Sequence, residues 1–172
     1  YYMNSLALYE AIQNKEGVAT AKNNIGNIYS FKKDYDQAAR YHEESHQSFT
    51  ELNDKVKLVG SLNNLGNLNN ELQLFDKALS YYTESYRISD SLGMVYSDPL
   101  NNIGSLYFKQ GNFEKAASYF IKALTLAKKN EDFPMQLNVY ASLGEVSSKT
   151  SQYKKSEIYL DSALQLINQL QA

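Results

Sequence analysis

Apolar residues along the chain recur at three- and four-residue spacing, and short polar stretches interrupt them at regular intervals. Phe113, Ala116, Ala117, Phe120, Ala123, Leu124 and Ala127 form one such run, a spacing that gathers its members on one face of an α-helix. Polar stretches such as "ELND", "SDSLG" and "KKNED" end the runs, and turns such as "KKD" and "KQGN" divide them into pairs. Asp98-Pro99 and Asp132-Phe133-Pro134 read as helix starts, because proline suits the first turn, where its missing N–H leaves no bond unmade. With only two prolines and eight glycines in 172 residues, few positions break helices, and the pattern predicts an all-α chain.

The pairs also repeat. "NNIGNIYS" at 23, "NNLGNLNN" at 63, "NNIGSLYF" at 101 and "ASLGEVSS" at 141 align on Gly26, Gly66, Gly104 and Gly144, which are 40, 38 and 40 residues apart. Twelve residues beyond each glycine stands a small residue (Ala38, Ala78, Ala116, Ser156), preceded by an aromatic three positions earlier (Tyr35, Phe75, Phe113, Tyr153). A second small column follows at Ser45, Ser85, Ala123 and Ala163. Each unit therefore divides into a helix A, which carries the glycine and admits a close neighbour there, and a helix B that starts just before the aromatic. The boundaries read as 17–54, 55–93, 94–132 and 133–172, after residues 1–16 as the second helix of a truncated repeat, with Tyr1 aligned to Tyr41. The two residues missing from the 38-residue step are expected to come out of the loop before Asp98.

These columns resemble the tetratricopeptide repeat, best at Ile103, Gly104, Tyr107, Ala116, Phe120 and Ala123. The usual repeat is about 34 residues, so the longer period implies longer helices. In this the chain resembles kinesin light chains, LGN-type polarity scaffolds, Rap-type regulators and repeat-containing sensor histidine kinases. It departs from the pattern at Lys22, Leu62, Leu100 and Tyr140, where Trp is common, and at Ser147, which replaces the Tyr of the fourth unit. The resemblance implies one array over residues 1–172: a right-handed superhelical α-solenoid of antiparallel helix pairs, A helices lining the concave side.

Composition narrows the partner. Seventeen basic and nineteen acidic residues leave a net charge of −2, which offers no electrostatic case for nucleic acid or an anionic membrane. No apolar run approaches the roughly 18 residues a membrane span needs. Cysteine is absent, so thiolate chemistry is excluded and the compartment stays open.

One local motif points elsewhere. "YHEESHQ" contains H-E-x-x-H, by which His42 and His46 would bind zinc with Glu43 as general base. The repeat columns decide against it. His42 aligns with Tyr82, Phe120 and Leu160, His46 with Tyr86, Leu124 and Leu164, and Glu43 with Thr83, Ile121 and Asp161. A packed, hydrogen-bonded pair of imidazoles is expected, with no metal, no cofactor and no catalytic site.

In tetratricopeptide repeats, the positions three before and one after the helix-A glycine look into the groove. Here they are Asn23 and Asn27, Asn63 and Asn67, Asn101 and Ser105, then Ala141 and Glu145. Asparagine is a mediocre helix former, roughly 0.6 kcal/mol worse than alanine, so its recurrence implies a use. Carboxamides can pair with the backbone of an extended peptide; the alternative is that they bridge neighbouring A helices or face water. Asn24, Asn64 and Asn102 lie to one side and are expected to bond between repeats. Asn70 and Phe108 continue the groove face, with Lys109 beside them. Chaperone-type repeats clamp a C-terminal carboxylate with Lys and Arg, where Asn101 and Ser105 stand here, so that specificity is not expected. The predicted function is a protein- or peptide-binding scaffold, non-enzymatic, holding an extended peptide or partner helix. The alternative is a sensory or regulatory segment of a signalling protein such as a histidine kinase or transcriptional regulator. No helix A precedes the first helix and no polar cap follows the last. A segment of a longer protein is therefore expected, with Leu164, Ile167 and Leu170 open to self-association.

Overall fold

The computed structural model describes residues 2–94 and 96–171, so Tyr1, and with it the alignment to Tyr41, lies outside the described residues, as do Val95 and Ala172. The chain divides into two compact units, Tyr1–Leu92 and Gly93–Ala172. In the first, the helices are α1 (Tyr2–Ala11), α2 (Lys15–Phe31), α3 (Tyr35–Glu51), α4 (Lys55–Glu71) and α5 (Phe75–Ser91). In the second they are α6 (Asp98–Lys109), α7 (Phe113–Lys129), α8 (Phe133–Lys149) and α9 (Tyr153–Gln171). Within each unit consecutive helices pack as hairpins, and A helices also touch their A neighbours, α2 with α4 and α6 with α8. Among the described residues there is no strand, and no helix is long and apolar enough to cross a membrane.

One turn design recurs. After α2, Lys33 takes a left-handed conformation (φ 60°). Its N–H bonds to Ser30 O (3.0 Å), and the next N–H, of Asp34, bonds to Tyr29 O (2.9 Å). These are the paired bonds of a Schellman close. Gln13, Asn53, Gln73, Gly111, Glu131 and Ser151 repeat that backbone. The residue that follows closes one helix and caps the next: Asp34 accepts from Gln37 N–H at 3.2 Å, Asp54 from Lys57 at 3.0 Å and Asn112 from Lys115 at 3.2 Å. Asn14 likewise accepts from Gly17 N–H at 2.8 Å, so α2 begins at Lys15, two residues before the boundary read from the sequence. Leu74 lacks the side chain to do this.

The short repeat step is absorbed by helix α6 and not, as expected, by the loop before Asp98: positions 92–97 separate α5 from α6, whereas only 52–54 separate α3 from α4 and only 130–132 separate α7 from α8. α6 has 12 residues against 17 in α2, α4 and α8, with Pro99 in its first turn. A proline ring clashes with the carbonyl four residues back in a helix interior, so α6 cannot extend far upstream of it.

The glycine columns hold the hairpins together. A methyl group on Gly26 would meet the His42 ring at 2.7 Å, and one on Gly104 the Phe120 ring at 2.7 Å; at Gly66 it would strike Tyr82. At Gly144 the neighbour is Leu160, at 3.2 Å. Every facing residue is sixteen positions on, so the four glycines occupy matching places. Ala38, Ala78 and Ala116 are fully buried. Ser45 and Ser85 donate across their hairpins to Ala19 O (2.8 Å) and Val59 O (3.0 Å). Ser156, in the alanine column, donates to Gly144 O at 2.8 Å.

Candidate functional site

The H-E-x-x-H residues come first, because their surroundings decide their chemistry. His42 is buried against Gly26. Its Nδ1 lies 3.3 Å from Asn23 Oδ1, and its Nε2 lies 3.4 Å from Ser30 Oγ. A carbonyl oxygen only accepts, so Nδ1 carries the proton and Nε2 accepts from the Ser30 hydroxyl; both ring nitrogens are engaged by protein groups. Burial, by disfavouring the imidazolium, lowers the pKa of His42 to about 4. His46 departs from the expected hydrogen-bonded pair: its Nδ1 is buried without a partner. Its column is one that other repeats fill with the packing residues Tyr86, Leu124 and Leu164; burial lowers its pKa also. Glu43 is exposed on the far side. Among the described residues no group of three His, Cys, Asp or Glu is placed to hold a metal ion.

The asparagines of the first unit fall into two kinds. Asn23 is half-buried, and its Oδ1 accepts from Asn64 Nδ2 (3.0 Å) as well as from His42. That bond ties α2 to α4, so one of the residues expected between repeats bonds there, with a residue of the groove column as its acceptor. Asn67 is exposed and its Oδ1 accepts from the Tyr82 hydroxyl at 2.8 Å, with Asn70 beside the same phenol. Burial raises that phenol well above its ordinary pKa, and it serves as a donor. Asn27 is exposed. Asn63 and Asn70 are half-buried, and the Oδ1 of each is buried without a partner.

In the second unit Asn101 is buried, and its Oδ1 is likewise unpartnered. Ser105 donates back to Asn101 O at 3.0 Å. Phe108, half-buried, tilts against Phe113 with centroids 5.4 Å apart. Ser105, Phe108 and Lys109 converge with Phe120, Ser142 and Glu145 on a cavity of about 130 Å³ between the A-helix faces of α6 and α8. Ser142 had a signal in the sequence: it continues the column of Asn24, Asn64 and Asn102.

Stacked A/B hairpins with this glycine spacing define a class of helical repeat protein. The tetratricopeptide repeat model matches residues 17–91 and 96–169, and the chain belongs to that family. Its repeats are in general protein-interaction modules. No curated protein sequence matches the chain. Among solved structures, BtubC (BKLC) from P. vanneervenii superposes with a TM-score of 0.84 at 18% identity, over 99% of this chain and 72% of that one. The apo form of RapI gives 0.82 at 18% identity, over 98% of this chain and 47% of its own. Aspartyl phosphate phosphatase F from Bacillus subtilis gives 0.89 at 15%, over 98% and 45%. At these identities the likeness is one of fold, and this chain spans less than half of the last two proteins.

Proposed function

We propose that the chain is a protein- or peptide-binding module that uses the A-helix face of each unit, with Asn27, Asn63, Asn67 and Asn70 in the first. In the second, Asn101 and Ser105 hold ligand backbone while Phe108 and Lys109 select a side chain. One observation carries this reading. The Oδ1 atoms of Asn63, Asn70 and Asn101 are buried without partners, at about 1–3 kcal/mol each. The fourth repeat fills the column of Asn63 and Asn101 with Ala141, so the fold does not require asparagine there. Residues that oppose stability at matched places are what a binding surface retains, and each amide turns outward to meet a ligand. The 130 Å³ cavity beside Phe108 has room for one ligand side chain.

The test uses Asn63→Ala with Asn101→Ala. Neither loses a bond through Oδ1, and both gain helix propensity, so the double variant is expected to melt no lower than the parent. On a peptide array its binding is expected to collapse. Equal binding by parent and variant removes the proposal. A regulatory role inside a signalling protein is a second reading, favoured by the likeness to RapI and aspartyl phosphate phosphatase F. It requires a peptide that binds the A-helix faces to alter the activity of an attached domain, measured in the full-length protein.

A further inference from the structure

In the first and third repeats a tyrosine of helix A covers a tyrosine of helix B, whereas the second and fourth carry Asn69 and Ser147 at that place. Tyr107 of α6 stacks on Tyr119 of α7, centroids 5.6 Å apart and planes 24° apart, and Lys115 Nζ sits 5.0 Å from the Tyr107 centroid. In the first repeat Tyr29 stacks on Tyr41 at 5.6 Å and 6°. Counted from their glycines, Tyr107, Lys115 and Tyr119 correspond in the fourth repeat to Ser147, Lys155 and Tyr159. The platform and the cation are kept, and the ring between them is gone.

The gap has not closed. α8 and α9 are held in register by the bond from Ser156 to Gly144 O and by Leu160 against Gly144, so α9 cannot move in to fill the lost ring. What remains is a cavity of about 280 Å³ whose wall includes Ser147, Tyr159, Lys155, Leu143, Val146 and Ile121. An apolar cavity of roughly 150 Å³ accepts benzene, so a phenol ring fits with room for its link to a backbone. Leu143 and Val146 are buried at its floor, while Ile121, half exposed, and Lys155 stand at its mouth.

We infer that this cavity between α7, α8 and α9 is a binding site for an aromatic side chain, tyrosine by preference, presented by a partner polypeptide. The incoming ring takes the place that Tyr107 holds in the third repeat: stacked on Tyr159, with the Lys155 ammonium over its other face. The site is independent of the A-helix face discussed above. It takes a ring from outside because position 147 carries none to stack on Tyr159; Phe113 lines the cavity from α7.

The probe is N-acetyl-tyrosinamide, titrated into the 172-residue chain and followed by two-dimensional amide NMR. Saturable shifts are expected at Ser147, Ile121, Lys155 and Tyr159. The cyclohexylalanine analogue, of similar size but without a π face, is expected to bind roughly two- to tenfold more weakly. Lys155→Ala should weaken tyrosinamide binding roughly two- to fivefold. Ser147→Tyr should restore the internal stack, raise the melting temperature and abolish binding. Should that variant not fold, Tyr159→Leu keeps the cavity apolar but removes the platform, and binding must fall. Equal affinity for the cyclohexyl analogue, shifts that map elsewhere, or undiminished binding by Ser147→Tyr or Tyr159→Leu each overturns the assignment.

Discussion

Replacing Gly104 by alanine puts a methyl group 2.7 Å from two atoms of the Phe120 ring, inside any normal contact distance. Phe120 is 2% exposed, so its ring cannot swing into solvent, and the cost is that of overpacking a filled core, about 1–3 kcal/mol. Against this stands the gain from removing glycine from a helix interior, about 1 kcal/mol. The net is a loss of about 1 kcal/mol for Gly104→Ala. Gly60 provides the control, since it lies inside α4 with nothing within 4 Å of the position a methyl would occupy. Gly60→Ala therefore keeps the helix gain alone and should stabilise by about 1 kcal/mol. Gly144→Ala belongs between them, because its neighbour at 3.2 Å is the partly exposed, flexible end of Leu160. The three variants should rank Gly60→Ala, Gly144→Ala, Gly104→Ala in urea unfolding monitored by circular dichroism, the extremes separated by about 2 kcal/mol. If Gly104→Ala proved as stable as Gly60→Ala, the glycine column would not be a site of close packing, and the alignment built on it would fail.

Two further outcomes test the capping and the buried imidazole. The His42 pKa falls from 6.5 to about 4 on folding, so the unfolded chain binds the proton more tightly and stability is lost as the pH is lowered. The loss begins near 6.5 and is complete below about 4, for a total of about 3 kcal/mol. His42→Phe, which mimics the Phe120 column, removes that dependence; a parent-minus-variant stability difference that stays flat between pH 7.5 and 4 would refute it. Leu74→Asp supplies the side-chain cap that α5 lacks and should raise unfolding free energy by about 1 kcal/mol, whereas no gain in a thermal melt would show that the Gln73-Leu74 turn differs from its siblings.

Much of this architecture is written locally. Gly26, Gly66, Gly104 and Gly144 mark the hairpins because helix periodicity and an approximately 40-residue repeat are both visible in one dimension, and each glycine's partner sits at a constant separation along the chain. The same columns place His42 and His46 among packing positions of helix B. The candidate groove residues were visible as a recurring face, since residues a turn apart on a helix share one side whatever the helix packs against.

The amide partnerships had no such signature. Asn23, Asn63 and Asn101 share a column, yet the Asn23 oxygen is engaged by His42 and Asn64 while the oxygens of Asn63 and Asn101 are buried alone. Asp98-Pro99 marked the start of α6, but the cavity beside Ser147 was equally hidden. Helix identity and facing depend on neighbours three or four residues apart, which the order of residues alone supplies. Which polar atom finds a partner, and whether a lost ring leaves a space, depend on groups tens of residues away and on how far two packed helices can move, and only the folded chain decides that.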